Sequence, residues 1–247
     1  MPRITNDENN LQQHKTGHFG FSAVRIEDLG SSEYTLVTIV ADRSGSTSGF
    51  QVDMEKALKE ILAACLKSPR ADNLMIRLVK FDNAVEEVHG FKLLSQINPD
   101  DYSGILTPGG MTSLYDASVS AIEATNSYGR TLLENDMSVN AIFFVITDGG
   151  DNTSKLSTSS VKAELERGVS GENLESLVSV LIGVNVTNPT LAQYLASFKN
   201  DAGFTQYVEL KDASKGTLAK LAQFVSKSVS SQSQALGTGG ASQSINF

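Results

Sequence analysis

Residues Tyr34–Ala41 (YTLVTIVA) form a nearly continuous, β-branched apolar run that ends directly on Asp42. A strand with one wet face alternates apolar and polar residues. An uninterrupted run implies a strand covered on both faces, as in a parallel sheet. Val139–Thr147 (VNAIFFVIT) and Leu177–Val184 (LVSVLIGV) have the same character, and Leu74–Phe81 (LMIRLVKF) is a further strand. Helical spacing fills the intervals at Phe50–Lys67, Thr112–Leu133, Ser157–Arg167, Pro189–Asn200 and Ser214–Val229, with Phe204–Leu210 as a short strand before the last helix. After Leu74–Phe81 the two-residue Asp82-Asn83 turn sends Ala84–Lys92 back as an antiparallel neighbour. His18–Leu29 partly alternates and reads as an edge strand before the core. The expectation is an α/β, Rossmann-like, doubly wound fold. Its central sheet is mostly parallel with one antiparallel edge strand, and helices lie on both faces.

The 247 residues suit a single domain with tails. Residues 1–17 are polar and read as a flexible arm, 18–229 as the domain, and 230–247, dominated by Ser, Gln, Gly and Ala, as a flexible low-complexity tail. The net charge of −8 and the lack of a Lys/Arg cluster argue against nucleic acid as a partner. No apolar stretch approaches the roughly 18 residues of a membrane span, and the N-terminus has no apolar signal core. The expected location is the cytoplasm. The single cysteine, Cys65, falls on an apolar helical stripe with Leu58, Ile61 and Leu62 and reads as a buried, inert thiol.

In layered α/β folds ligands sit beyond the carboxyl ends of the strands, where strand order reverses. Three segments fall at such ends. Asp42, Ser44 and Ser46 (in ADRSGSTSG) follow the first central run at i, i+2, i+4, so in an extended loop their oxygens can converge. One carboxylate with hydroxyls is a hard oxygen set suited to Mg²⁺ or Mn²⁺. Alternatively this is a strand-to-helix turn with Ser46 or Ser48 as helix cap. Asp148 follows the Val139–Thr147 run in ITDGGDN, where a turn-forming Asp-Gly is the simpler reading. Thr112 opens a long helix after Gly109-Gly110, either as its cap or with its hydroxyl toward an ion.

The three segments in order, DRSGS at 42–46, PGGMTSLYDA at 108–117 and VITDGGDN at 145–152, resemble the metal-ion-dependent adhesion site of von Willebrand factor A domains, of the intracellular bacterial type. The resemblance covers roughly residues 34–229. It implies that Ser44, Ser46 and Thr112 are hydroxyl ligands and Asp42 and Asp148 the carboxylates, binding directly or through water. It implies a non-enzymatic module that holds an acidic residue of a protein partner through Mg²⁺ or Mn²⁺, with a switch reaching the last helix. Arg43 and Thr47 depart from the commoner residues at their positions; Arg43 reads first as solvated, and otherwise as offsetting local negative charge or contacting a partner. Asp116 reads as orienting a neighbour or capping locally, and Asp151-Asn152 as shaping the turn.

Two other functions are compatible with the chain. One is a scaffold subunit in a larger assembly, by analogy beside an AAA+ ATPase or in a stress-resistance system. The other is a metal-assisted phosphohydrolase, but α/β phosphatases of this kind carry a second Asp two positions after the first, and position 44 is Ser. No phosphate-binding glycine loop is present, and His14, His18 and His89 lie outside the proposed site, the first two in the polar arm as solvated side chains.

Overall fold

The computed structural model describes residues 11–170, 174–241 and 245–247. The strands are β1 (Leu11–Lys15), β2 (Gly20–Val24), β3 (Glu33–Asp42), β4 (Leu74–Phe81), β5 (Val85–Leu93), β6 (Ser138–Thr147), β7 (Leu177–Gly183) and β8 (Gln206–Glu209). The helices are α1 (Gln51–Cys65), α2 (Leu114–Leu133), α3 (Thr158–Ser170), α4 (Pro189–Ala202) and α5 (Lys215–Thr238). The strands form one sheet in the order β1-β2-β5-β4-β3-β6-β7-β8. β4, β3, β6, β7 and β8 are mutually parallel, and β5 returns antiparallel to β4. The expected α/β, doubly wound architecture is present. The antiparallel margin is wider than one strand, because β2 lies parallel to β5 and β1 pairs antiparallel outside it.

Side-chain alternation divides the core. Val37, Ile39, Ile76, Leu78, Phe144 and Ile182 face α1 and α5. Val40, Val79, Phe143, Val145 and Leu181 face α2, α3 and α4. Both faces of the central strands are thereby removed from water, at roughly 1.5–3 kcal/mol of transfer free energy per large aliphatic side chain. The chain leaves β3 through α1 toward β4 and leaves β6 through α3 toward β7, so strand order reverses between the adjacent β3 and β6.

Two boundaries differ from the sequence expectation. Within the arm assigned to 1–17, Leu11–Lys15 is a strand, while 1–10 lie outside the described residues. His14, expected to be solvated, stacks on Phe21 with ring centroids 4.8 Å apart, and burial lowers its pKa. His18 Nδ1 lies 2.6 Å from the buried Glu123 carboxylate, which also accepts from Thr16 Oγ1 at 2.6 Å and so ties the β1–β2 turn to α2. Within the tail assigned to 230–247, residues 230–238 continue α5, and 242–244 lie outside the described residues. Small and polar side chains make this last stretch a packed helix: Gln232 and Ser233 are fully buried, Asn140 Nδ2 donates to the Gln232 carbonyl at 2.8 Å, and Arg70 Nε donates to Ser233 Oγ at 2.9 Å. Cys65 is fully buried, and burial pushes its thiol up to about 12, as an inert core sulfur requires.

The outer strands are fastened by a buried charge. Arg77 on β4 is 1% exposed and its Nε donates to Glu87 at 2.7 Å. Glu87 in turn accepts from Ser22 N and Ser22 Oγ on β2, at 2.9 and 2.6 Å. A Cβ at Gly90 would lie 1.9 Å from the Ser22 carbonyl oxygen, so only glycine lets β2 approach β5 here. Gly90→Val should push β2 off the sheet. The expected loss is about 1–3 kcal/mol in denaturant unfolding, with faster amide exchange across β1 and β2. Unchanged stability and exchange would contradict this account of the close approach.

Candidate metal centre

The reversal point between β3 and β6 places Asp42 and Asp148 at one sheet end. Asp42 is the last residue of β3, and Asp148 follows the last residue of β6. Asp42 is held at both oxygens: Ser44 N donates to Oδ1 at 2.7 Å and Thr147 Oγ1 to Oδ2 at 2.6 Å. Ser44 Oγ lies 3.1 Å from Ser46 Oγ, and Ser46 Oγ donates to Asp148 Oδ1 at 2.8 Å. A chain of short contacts therefore joins Asp42, Ser44, Ser46 and Asp148.

Thr112 arrives from a third segment. Its amide donates to Asn152 Oδ1 at 2.8 Å and its carbonyl accepts from Asn152 N at 3.0 Å. A Cβ on Gly149 would stand 3.4 Å from Thr112 Oγ1, so the hydroxyl rests against the residue that follows Asp148. All five sequence-predicted residues are thus brought to this sheet end. Asp42, Ser44 and Thr112 are buried, Asp148 is half-buried and Ser46 is exposed, which leaves the cluster open to solvent on one side.

The capping alternatives are not realised. Phe50 occupies the N-cap of α1 and Ser113 that of α2, so neither Ser46, Ser48 nor Thr112 caps a helix. The Ser loop is closed by Thr47, whose buried Oγ1 donates to the Ser44 carbonyl at 2.8 Å. Gly45 N donates to Gly110 O at 3.2 Å, joining the first and second loops. Gly110 has φ +71°, and Asn83 Oδ1 accepts from Met111 N at 2.8 Å, pinning the second loop to the β4–β5 turn.

Arg43, expected to be solvated, is 18% exposed and ion-paired to Asp82 at 3.2 Å and Glu86 at 3.0 Å. The β4–β5 hairpin claims its charge. Asp116 accepts from Leu156 N at 2.9 Å, and Asp151 accepts from Ser154 Oγ, so both shape the third loop. Tyr194 Oη meets Tyr115 Oη at 2.5 Å and accepts from Asp151 N at 3.1 Å. Sequence reasoning missed Thr147, Asn83 and Tyr194. For Thr147 a signal existed, a hydroxyl next to Asp148 at a strand end; the other two lie far from the motifs in sequence.

Both carboxylates are shifted toward the neutral form. Burial raises the Asp42 pKa against hydrogen bonds from Thr147 and Ser44. Asp148 is pushed up to about 6, first by burial and then by the charge of Asp42. Neither carboxylate has a basic ion-pair partner among the described residues. Two carboxylates and three hydroxyls, all hard oxygen donors, fit a divalent cation such as Mg²⁺ or Mn²⁺.

No protein-family model matches this chain, and no curated protein sequence matches it. Solved structures share its fold. The PilB minor pilin of Streptococcus sanguinis superposes with a TM-score of 0.59 at 14% identity, over 88% of this chain and 66% of the pilin. The pilus adhesin SpaC of Lactobacillus rhamnosus GG, in its open conformation, gives 0.55 at 11%, over 92% of this chain and 35% of the adhesin. The ArnB paralog VWA2 of Sulfolobus acidocaldarius gives 0.50 at 13%, over 81% of this chain and 46% of that protein. This chain therefore spans less than two thirds of each. At such identities the likeness is one of fold alone, an α/β doubly wound fold of the kind seen in the VWA2 paralog.

In metal-free protein the raised Asp148 pKa has a definite sign. The folded state holds this proton more tightly than the unfolded state does. The penalty for ionising is therefore absent below the unfolded value of roughly 4 and complete above about 6. Asp148→Asn should remove that fall and stabilise metal-free protein at pH 7 by on the order of 1 kcal/mol, after allowance for partial solvent screening. Thermal melts from pH 4 to 7 check this; a variant no more stable than wild type at pH 7 would contradict it.

Proposed function

We propose that this chain is a non-enzymatic, metal-dependent protein-interaction module. Asp42, Ser44, Ser46, Thr112 and Asp148 would hold one Mg²⁺ or Mn²⁺. The observation that carries the reading is the pair of carboxylates at the β3 and β6 ends, ringed by hydroxyls and without a basic partner among the described residues. When bound, the ion supplies a Lewis-acidic position facing solvent, suited to a carboxylate from a partner protein. The chain's own groups do the remaining work. Thr147 and Ser44 N fix Asp42, Asn152 fixes the Thr112 backbone, and the Arg43 charge is kept away on Asp82 and Glu86.

A binding role is favoured over hydrolysis because the histidines, the commonest general bases, lie away from the site. His89 is buried against Tyr102 at 2.6 Å, with its pKa lowered to about 4 chiefly by burial, and His14 and His18 lie at the β1–β2 end. None of the described helices is long and apolar enough to cross a membrane. A buried thiol without a disulfide fits the cytoplasm inferred from sequence, and it fits an exported protein as well.

Calorimetric titration of Mg²⁺ and Mn²⁺ into EDTA-stripped protein tests the reading. Wild type should bind one ion, and Asp42→Ala/Ser44→Ala should bind none while still melting cooperatively. Thr112→Ala, which leaves the α2 cap untouched, should weaken affinity by about tenfold or more, equivalent to roughly 1.4 kcal/mol. Equal binding by the double variant would overturn the assignment.

A further inference from the structure

The last described residues occupy a groove that their side chains do not fill. Gly239 ends α5 in the left-handed region at φ +65°. Phe247 meets Phe224 edge-on, with ring centroids 5.6 Å apart, although Phe224 lies roughly 21 Å back along the helix from Thr238 at 1.5 Å per residue. Ile245 packs against the cluster beneath α1 and α5. Gln206, the first residue of edge strand β8, donates Nε2 to the Ile245 carbonyl at 3.1 Å. A side-chain amide at the sheet edge thus holds the backbone of Ile245.

The fit is incomplete in three respects. Phe247 stays 51% exposed despite its aromatic contact. Gln206 Oε1 is buried with no donor, although an extended peptide can offer an N–H beside its carbonyl. A cavity of about 310 Å³ remains between the tail and α5, bordered by Lys220, Gln223, Phe224 and Lys227. The two lysines border this space from one side of α5; Lys220 also feels the Asp212 carboxylate, and none of Ile245, Asn246 and Phe247 is acidic.

We propose that the groove between α5 and the β8 edge is a docking site for an extended, acidic partner segment. That segment carries an aliphatic residue two positions before an aromatic one. The chain's own Ile245-Asn246-Phe247 sits there as a weak internal competitor. Tethering gives such a competitor a high effective concentration, of millimolar order for short linkers, so a partner prevails only through contacts the tail lacks. Carboxylates against Lys220 and Lys227 are those contacts. This proposal is independent of the metal centre, which lies at the strand carboxyl ends.

The test uses the full chain, ¹⁵N-labelled, in EDTA. The probe is the synthetic heptapeptide ASEEINF, the 241–247 sequence with glutamates in place of Gln243 and Ser244. The Gln206 side-chain amide is the reporter in NMR titration. Saturable shifts are expected in wild type, and at least about tenfold tighter binding in Ile245→Ser/Phe247→Ser, where the competitor is removed. Phe247→Ala, a milder change at a half-exposed ring, should show the same direction if the double variant folds poorly. Lys220→Glu/Lys227→Glu in the vacated background should weaken binding about tenfold. Absence of a saturable shift in the vacated variants would overturn the docking site. Equal affinity in wild type and vacated variants would overturn the internal competitor.

Discussion

Two carboxylates stand at neighbouring strand ends because β3 and β6 pair in parallel along their whole length, from Glu33 opposite Ser138 to Ala41 opposite Ile146. That pairing fixes the rest of the candidate site. It sets Thr147 beside Asp42, so that one hydroxyl bridges the two strands at 2.6 Å, and it directs the chain after each strand into the same solvent-facing end. Burial raises both carboxylates, the charge of Asp42 raises Asp148 further, and neither has a basic ion-pair partner among the described residues.

Around this constraint the loops behave as a braced ring. The Ser loop is closed by Thr47 and joined to the Gly109-Gly110 loop through Gly45, that loop is pinned by Asn83, and the third loop is held by Asn152, Asp116 and the Tyr115–Tyr194 pair. Bracing of this kind would keep the five proposed ligands in place before any ion arrived, which would lower the ordering cost of binding. Arg43 shows the complementary rule. A cation one residue from Asp42 would neutralise the site, and Asp82 and Glu86 draw it away.

The central strands and their helices were legible in the sequence, because burial on both faces writes an uninterrupted apolar run that nothing else in the chain imitates. The site was legible for a related reason: Asp42 and Asp148 each stop such a run, and a carboxylate at that point must lie at the sheet end. The margins were legible only in part: the His18–Leu29 segment contains β2 (Gly20–Val24), but the rest did not show itself. Leu11–Lys15 is too polar to declare itself a strand, and it is held by the hairpin with β2 and by Glu123, 107 residues from Thr16. Residues 230–238 look like a low-complexity tail, yet they pack because Asn140 and Arg70 supply partners from distant elements. Composition cannot reveal a hydrogen bond whose two ends are about a hundred residues apart. The same holds for Thr147: its hydroxyl was visible, but its partner was not.

The central claim is that one divalent ion sits among five named side chains. The most direct measurement is an anomalous difference map from a crystal soaked in Mn²⁺. The account predicts a single strong peak bounded by the side chains of Asp42, Ser44, Ser46, Thr112 and Asp148, with hydroxyl oxygens within coordinating distance. A peak elsewhere on the chain, or an ion held by Asp116 and Asp151 with these five groups unengaged, would contradict it.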